Sequence, residues 1–274
     1  MRVGVVGAAG RMGREVCRAV GADPALELVA AVDPQAAGSE LDELVEHGPG
    51  GPTGLTVEGP LEALSAAGVE VVVDFTRIDA ARTTLPWCAA AGIHAVVGTS
   101  GFTDDDMADL ARWFAGPTAG APNALVAANF AIGAVLMMRF AEMAAPWFDG
   151  AEIIELHHDG KLDAPSGTAM QTATVMTRGR SGHGVGGFPA DATVTTVVDG
   201  ARGGSGPGGV RIHSVRLPGL VAHQEVILGA VGQSLTIRHD SFDRRSFMDG
   251  VTLAVRQVPS RPGLTVGLDP LLGF

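Results

Sequence analysis

Two imidazoles and an ammonium fall within five positions, at His157, His158 and Lys161, and four residues later the chain reads Pro165-Ser166-Gly167-Thr168. An imidazole exchanges protons near neutral pH, and an ammonium presents a compact positive charge. A helix start turns unpaired backbone N–H groups toward an anion, where the helix dipole also favours negative charge. Side by side, such groups make a receptor for a small dicarboxylate. The apolar residues Ile153, Ile154 and Leu156 predict a strand that ends at the histidines, and Pro165, Ser166, Gly167 and Thr168 predict the first turn of a following helix. The amides of Gly167 and Thr168 then meet the anion from one side, with His157, His158 and Lys161 on the other.

Each signal alone is ordinary: a histidine is usually a packing residue, a lysine is usually solvated, and Ser-Gly-Thr is a common cap. Their convergence within about a dozen residues carries the functional reading. A metal site is the rival explanation for His157, His158, Asp159 and Asp163. Adjacent strand residues face opposite ways, no H-E-x-x-H spacing occurs and neither cysteine is near, so no metal is expected.

A second chemical signal opens the chain, where the β-branched run from Val3 to Val6 passes into Gly7-Ala8-Ala9-Gly10-Arg11-Met12-Gly13 and a helical pattern. This predicts strand, glycine turn and helix: Gly7 for the tight turn, Gly10 for backbone approach to a pyrophosphate, Gly13 for close helix–strand packing. The spacing is G-x-x-G-x-x-G, and in a chain with 39 glycines a glycine loop alone is weak evidence. Asp33 ends the next apolar run, twenty residues past Gly13, where a carboxylate can bond the adenosine ribose of NAD. Pro34 follows it in place of an arginine for the extra phosphate of NADP, which favours NADH, while Arg11 and Arg14 keep NADPH open. An aspartate before proline is also a common turn residue.

Apolar strands alternating with helical segments are the elements that position these loops, and they predict a parallel sheet of α/β class. After a glycine/proline-rich loop at residues 48–54, strands are expected at 69–75 and 93–97, a helix at 79–91, and a helix capped by Thr103. Strand tips line the cofactor crevice of such sheets, which makes Phe75-Thr76, Gly98-Thr99-Ser100 and Ala128-Asn129-Phe130 its expected walls, with Thr99 and Asn129 fixing orientation. From residue 151 the pattern changes to one strand, a helix at 169–177 and strand-like runs at 193–198, 210–217, 223–230 and 234–239, an α+β domain on a mixed sheet. Segments 178–187 and 200–209 are too glycine-rich for a regular element, and Arg202 on the second is placed to close over substrate. Residues 244–258 read as helical, and the apolar tail 264–272 is expected to dock on the first domain.

At 274 residues there is room for one large or two modest domains. Nineteen basic against thirty acidic residues give a net charge of −11, which argues against a nucleic-acid partner and makes an anionic substrate depend on local basic groups. Cys17 and Cys88 form no C-x-x-C, so no disulfide framework is expected. The opening strand does not read as a secretory leader, and the uncharged stretch 116–138 is broken by Pro117, Pro122, Asn123 and Asn129; the expectation is a cytoplasmic protein without a membrane partner.

The two motifs together, G-A-A-G-R-M-G at 7–13 and E-L-H-H-D-G-K-L-D-A-P-S-G-T-A at 155–169, resemble the bacterial dihydrodipicolinate reductases. V-V-D-F-T at 72–76, H-A-V-V-G-T-S-G-F-T at 94–103, A-N-F-A-I-G-A-V-L at 128–136, G-L-V-A-H-Q-E-V at 219–226 and L-T-I-R-H-D-S at 235–241 extend the likeness along the chain. The resemblance implies reduction of 4-hydroxy-tetrahydrodipicolinate to tetrahydrodipicolinate with NADH or NADPH, on the way to diaminopimelate and lysine. It implies a Rossmann domain over 1–130, completed by 241–274, and a substrate-binding sheet domain over 131–240 that forms a homotetramer. Carried across, His157 is the proton donor and acceptor, Lys161 a second proton donor, and His158, Ser166, Gly167 and Thr168 bind substrate. Gly7, Ala8, Ala9, Gly10, Arg11, Met12, Asp33, Gly98, Thr99, Ser100, Ala127, Ala128, Asn129 and Phe130 match the cofactor contacts. Many relatives carry an acidic residue followed by arginine where this chain has Asp33-Pro34. A reductase of another small dicarboxylate imine, or a dinucleotide-sensing regulator, would share the layout; the regulator has little use for H-H-x-x-K beside a helix start.

Overall fold

Alternation of buried β-branched runs with helices builds the first half of the molecule, seen in a computed structural model that describes residues 1–45, 51–115 and 121–274. Positions 46–50 and 116–120, which include part of the expected glycine/proline-rich loop and Pro117, lie outside the described residues. In chain order come β1 (Arg2–Val6), α1 (Arg11–Ala22), β2 (Glu27–Val32), α2 (Leu41–Leu44), β3 (Val57–Glu58), α3 (Glu62–Ala66), β4 (Val71–Asp74), α4 (Ile78–Ala91), β5 (His94–Val97), α5 (Asp104–Trp113) and β6 (Ala124–Val126). The second half holds α6 (Ile132–Ala144), β7 (Gly150–His157), α7 (Gly167–Gly182), β8 (Gly204–Ser205), β9 (Arg211–Arg216), β10 (Ala222–Ala230), β11 (Gln233–Ser241), α8 (Met248–Gln257) and β12 (Leu264–Val266). Contacts group the chain into two units, residues 1–131 with 244–274, and residues 132–243.

In the first unit the described strands form a parallel sheet in the order β12-β6-β5-β4-β1-β2-β3. Strands β4 and β5 are buried on both faces, which is why they read as unbroken apolar runs. Helix α5 begins with the expected cap: Thr103 accepts from the Asp106 amide while Asp106 reaches back to the Thr103 amide, a reciprocal box that stabilises the start by about 1 kcal/mol. Sequential winding reverses at β1, whose neighbours are β2 and β4; ligands of open α/β sheets bind at such a switch point. The segment that returns after residue 243 is clamped by Asn123, whose side-chain nitrogen donates to the Val258 and Pro259 carbonyls and whose oxygen accepts from the Gly263 amide. The returning chain then adds β12 outside β6.

In the second unit the described strands run β11-β10-β7-β9-β8, with β7 and β9 parallel and the other pairs antiparallel, a mixed sheet. Ile153, Ile212, Val226 and Leu228 pack with Met137 and Ala141 of α6 and Ala173 and Met176 of α7. The opposite face carries Glu152, Ile154, Leu156, His213, Glu225 and Ile227, which stay half-buried.

Three expectations for this unit need correction. Helix α7 continues to Gly182, through residues expected to be irregular, because Gly179 lets it press on the Glu142 carbonyl of α6 and Arg180 donates to the Ala145, Phe148 and Gly186 carbonyls. Residues 193–198 form no strand: Val194 and Val197 are more than nine-tenths exposed, and the free edge of β9 is taken by β8, which lies in the second segment expected to be irregular. Intrinsic β preference without a partner strand does not make a strand. Arg202 is tied to Glu152 at 2.5 Å and to Asp191 at 3.3 Å, so it is held against its own sheet and does not stand ready to close over a ligand.

Candidate active site

Strand periodicity sets up the chemistry of the second unit, because β7 sends Ile153, Glu155 and His157 to one face. Glu155 has no exposed surface, an expensive place for a charge unless it is fully partnered. Its partners are complete: both Arg216 terminal nitrogens donate to the carboxylate at 2.8 Å, the Ser166 amide donates at 3.2 Å, and His157 Nδ1 lies 2.5 Å from Oε2. Burial is the largest influence on Glu155 and raises its pKa, but hydrogen bonds from Arg216, Ser214 and His157 outweigh it and hold the carboxyl below its ordinary value. For His157 burial also dominates and lowers the pKa; Glu155 opposes this, while Lys161 and Arg216 add to it. The imidazole is therefore neutral at pH 7 before any anion arrives.

Lys161 lies on the loop after β7, with Nζ 2.8 and 2.9 Å from the two Asp163 oxygens, and it holds Asp163 below the ordinary carboxylate range. Arg216 also donates to the Asp163 carbonyl at 2.7 Å, so one network runs from Lys161 through Asp163 and Arg216 to Glu155, His157 and the start of α7. Ser166 is the N-cap of α7, its hydroxyl accepting from the Ala169 amide; Pro165 stands before the cap and not within the first turn. The buried Ser166 is thus spent on building the helix start, which leaves Gly167 and Thr168 as its first two residues. His158 is exposed just past the strand, its amide donating to the Val221 carbonyl at 3.4 Å. Sequence reasoning overlooked Glu155 and Arg216. The available signal was the strand period, which places a glutamate two residues before a histidine on one face.

In the first unit the glycines at the tip of β1 define a cradle. Gly7 has φ of +74°, and a Cβ at Gly13 would overlap the Gly7 carbonyl oxygen and lie 2.8 Å from Ala8 Cα. Gly10 is the N-cap of α1, whose first turn has neither a side-chain cap nor an acidic residue. Asp33 holds this loop: its carboxylate accepts from the Ala9 amide at 3.1 Å and from the Gln35 amide at 3.0 Å. Such a loop fits a dinucleotide pyrophosphate, with Arg11 and Met12 opening the helix beside it.

At the other tips, Gly98 packs so closely on the Phe75 ring that any side chain would collide with it, and the Phe75 and Phe130 rings lie 5.4 Å apart. Ala127 donates to the Val97 carbonyl, Asn129 Oδ1 accepts from the Ala131 amide, and Ser100 is exposed beyond β5. The Thr99 hydroxyl turns inward, donating to the Thr76 carbonyl at 3.0 Å and reaching Asp74 at 3.2 Å. It braces β5 against β4. Burial raises the pKa of Asp74 against opposing hydrogen bonds from Thr76, Thr99 and Thr84.

Comparison with known proteins follows the same two halves. The family model for the dihydrodipicolinate reductase N-terminus matches residues 1–130, and the model for the C-terminus matches residues 133–272. A 4-hydroxy-tetrahydrodipicolinate reductase of Nocardia farcinica is 51% identical over 272 residues, 99% of this chain and 98% of that protein. One from Corynebacterium aurimucosum is 47% identical over 274 residues, 100% and 99% of the two chains. The solved structure of a dipicolinate-bound dihydrodipicolinate reductase from Paenisporosarcina sp. TG-14 superposes with a TM-score of 0.82 at 39% identity, covering 98% of each chain.

Proposed function

The chain belongs to the dihydrodipicolinate reductase family, and from that premise we propose that it reduces 4-hydroxy-tetrahydrodipicolinate to tetrahydrodipicolinate with a nicotinamide dinucleotide, in diaminopimelate and lysine biosynthesis. The observation that carries the residue assignment is the network joining Lys161, His157 and the start of α7 through Glu155 and Arg216. Helix amides at Gly167 and Thr168, with His158, bind the carboxylates. The Paenisporosarcina relative holds dipicolinate, a planar diacid of the kind such a clamp suits.

Gly7, Ala8, Ala9, Gly10, Arg11 and Met12 would hold a reduced nicotinamide dinucleotide, with residues 98–100 and 127–130 as walls, and the dinucleotide would supply the hydride. The chain's own residues manage charge and protons. Loss of the substrate's 4-hydroxyl as water, with a proton from the neighbouring ring carbon, gives an unsaturated imine; hydride addition then drives electrons toward its ring nitrogen, and the Lys161 ammonium stabilises that charge. Two substrate carboxylates beside His157 favour its charged form, so the imidazole, neutral in the free protein, takes up a proton when substrate binds. Nδ1 being held by Glu155, Nε2 delivers this proton to the carbon next to the reduced centre.

For the cofactor, Asp33 with Pro34 favours NADH: its carboxylate pairs with ribose hydroxyls and repels a phosphate in the same place. Asp33→Ala is expected to weaken NADH binding roughly 10- to 10²-fold and NADPH binding less, the loss of a hydrogen bond to a charged group being about 1.5–3 kcal/mol. Equal weakening of both would show that the carboxylate serves only to hold Ala9 and Gln35. We assign substrate binding to the unit 132–243 and dinucleotide binding to the other. We assign the contacts of a homotetramer to the half-buried sheet face carrying Ile154, Leu156 and Ile227. No helix among the described residues is long and apolar enough to cross a membrane. The deciding assay couples the chain to fresh synthesis of the hydroxylated substrate and follows nicotinamide absorbance with NADH and NADPH in turn; no oxidation with either sinks the assignment.

A further inference from the structure

We propose that Glu155 is the positioning residue of the site: it fixes the proton of His157 on Nδ1 and locks that ring, Arg216 and the start of α7 into one rigid group. The inference rests on the reading of His157 as proton donor and adds to it a residue without which that donor is misdirected.

The argument begins with donors and acceptors. An ionised carboxylate only accepts hydrogen bonds, and Glu155 is held ionised by the two-pronged Arg216 contact, with both guanidinium nitrogens at 2.8 Å. The His157 Nδ1 at 2.5 Å must then be the donor, whether the ring is neutral or charged. In the neutral ring this leaves Nε2 as the basic atom, and in the charged ring Nε2 holds the transferable proton. A ring free to choose would spend part of its time as the other tautomer.

Burial shows that the contact is more than an ion pair. Glu155 is wholly buried, whereas Arg216 is about one-fifth exposed along its side chain, so the carboxylate lies on the inner side of the pair. Its second oxygen accepts from the Ser166 amide, eleven residues on, at the position that caps α7. One carboxylate therefore sets the distance between the proton donor and the amides that receive the substrate. A shift of either would move both.

The charges that act on the His157 ring are Glu155 from its own strand, Lys161 from the following loop, and Arg216 from β9. Ala222 of β10 is its apolar cross-strand neighbour, and Ser166 at the start of α7 is uncharged. Glu155 is the one negative charge bonded directly to the ring, since Asp163 is engaged with Lys161. Removing it leaves two cations facing the imidazole, which lowers its proton affinity further.

The test compares Glu155→Gln, Glu155→Asp and His157→Ala with the unmodified enzyme, measuring kcat and KM against pH with a thermal melt for each. Because His157 acts as an acid, kcat falls as pH rises past its pKa in the complex. Glu155→Gln is expected to lower kcat at pH 7.5 about tenfold and to move this alkaline limb down by about one pH unit, so that activity recovers on acidification. Glu155→Asp keeps the charge but withdraws it from the ring, and its limb falls between the two. KM for the dinucleotide stays unchanged in both. A limb at its original pH in the folded variants, with His157→Ala still losing about 10²-fold, overturns the proposal and leaves Glu155 a structural counter-ion. If Glu155→Gln does not fold, the Glu155→Asp limb decides alone, and a limb that does not move overturns the proposal. Full activity in His157→Ala overturns the proton-donor reading instead, and is recognised by that variant alone.

Discussion

Lys161→Ala is expected to lower kcat by roughly 10²-fold or more while the Kd for NADH stays within about twofold, since the loss falls on charge stabilisation in the transition state. The ammonium is paired with Asp163, on a side chain about four-fifths buried. In the free protein the Asp163 carboxylate therefore occupies the place that a substrate carboxylate or electron-rich nitrogen can later share. Truncation removes the cation and leaves Asp163 without its bonded partner where a dianion must bind, so KM for the substrate rises as well. Lys161→Arg separates the two contributions: it restores a cation and hence much of the KM, but a broad planar guanidinium does not set a compact charge at the ring nitrogen, and kcat recovers only in part. Steady-state kinetics on the two variants, with NADH binding followed by fluorescence, checks the whole pattern. A kcat within a few-fold of the unmodified enzyme in Lys161→Ala would take this residue out of the mechanism.

Gly13→Ala is expected to be the most damaging single methyl group in the dinucleotide unit. A Cβ there overlaps the Gly7 carbonyl oxygen and crowds Ala8 Cα, and both neighbours are backbone that cannot rotate aside. Overpacking against a fixed turn costs about 3 kcal/mol, equivalent to a fall in Tm of roughly 6–12 °C for a domain of this size. The dinucleotide KM rises too, because the turn that gives way is the one meant to cradle the pyrophosphate. Gly10→Ala is the useful contrast. Its nearest neighbour is the Gly7 oxygen at 3.1 Å and its φ is −71°, a conformation any residue adopts. The folded protein therefore tolerates that methyl with little change in Tm, and the damage shows only as weaker binding of a ligand that needs the backbone close. A calorimetric scan of both variants distinguishes the packing glycine from the binding glycine; equal Tm values would remove that distinction.

The parts of this architecture that were legible in the sequence depend on neighbours close along the chain. The glycine turn, the Thr103 cap, the strand ending at His157 and the buried strands β4 and β5 follow from local spacing and apolar runs. The parts that were not legible depend on partners far along it. Glu155 and Arg216 are 61 residues apart and meet only because β7 and β9 pair in parallel, a register that no local pattern declares. The end of α7 was misplaced because its glycines read as breakers, whereas Gly179 serves the approach of α6. Residues 193–198 have the composition of a strand, but β8 already occupies the edge they would have needed. Thr99 is polar at a strand tip, which suggests a ligand contact; Asp74, buried 25 residues earlier, draws its hydroxyl inward.

The clamp at Asn123 has a consequence for the order in which the molecule is made. Strand β6 gains its outer neighbour only when residues 264–266 arrive, and by then the ribosome has already released every strand of the unit 132–243. The nascent first unit must therefore wait, with one sheet margin bare, through the synthesis of more than a hundred residues. Its final cooperative closure comes after the inserted unit has been made, and that unit can fold while still tethered.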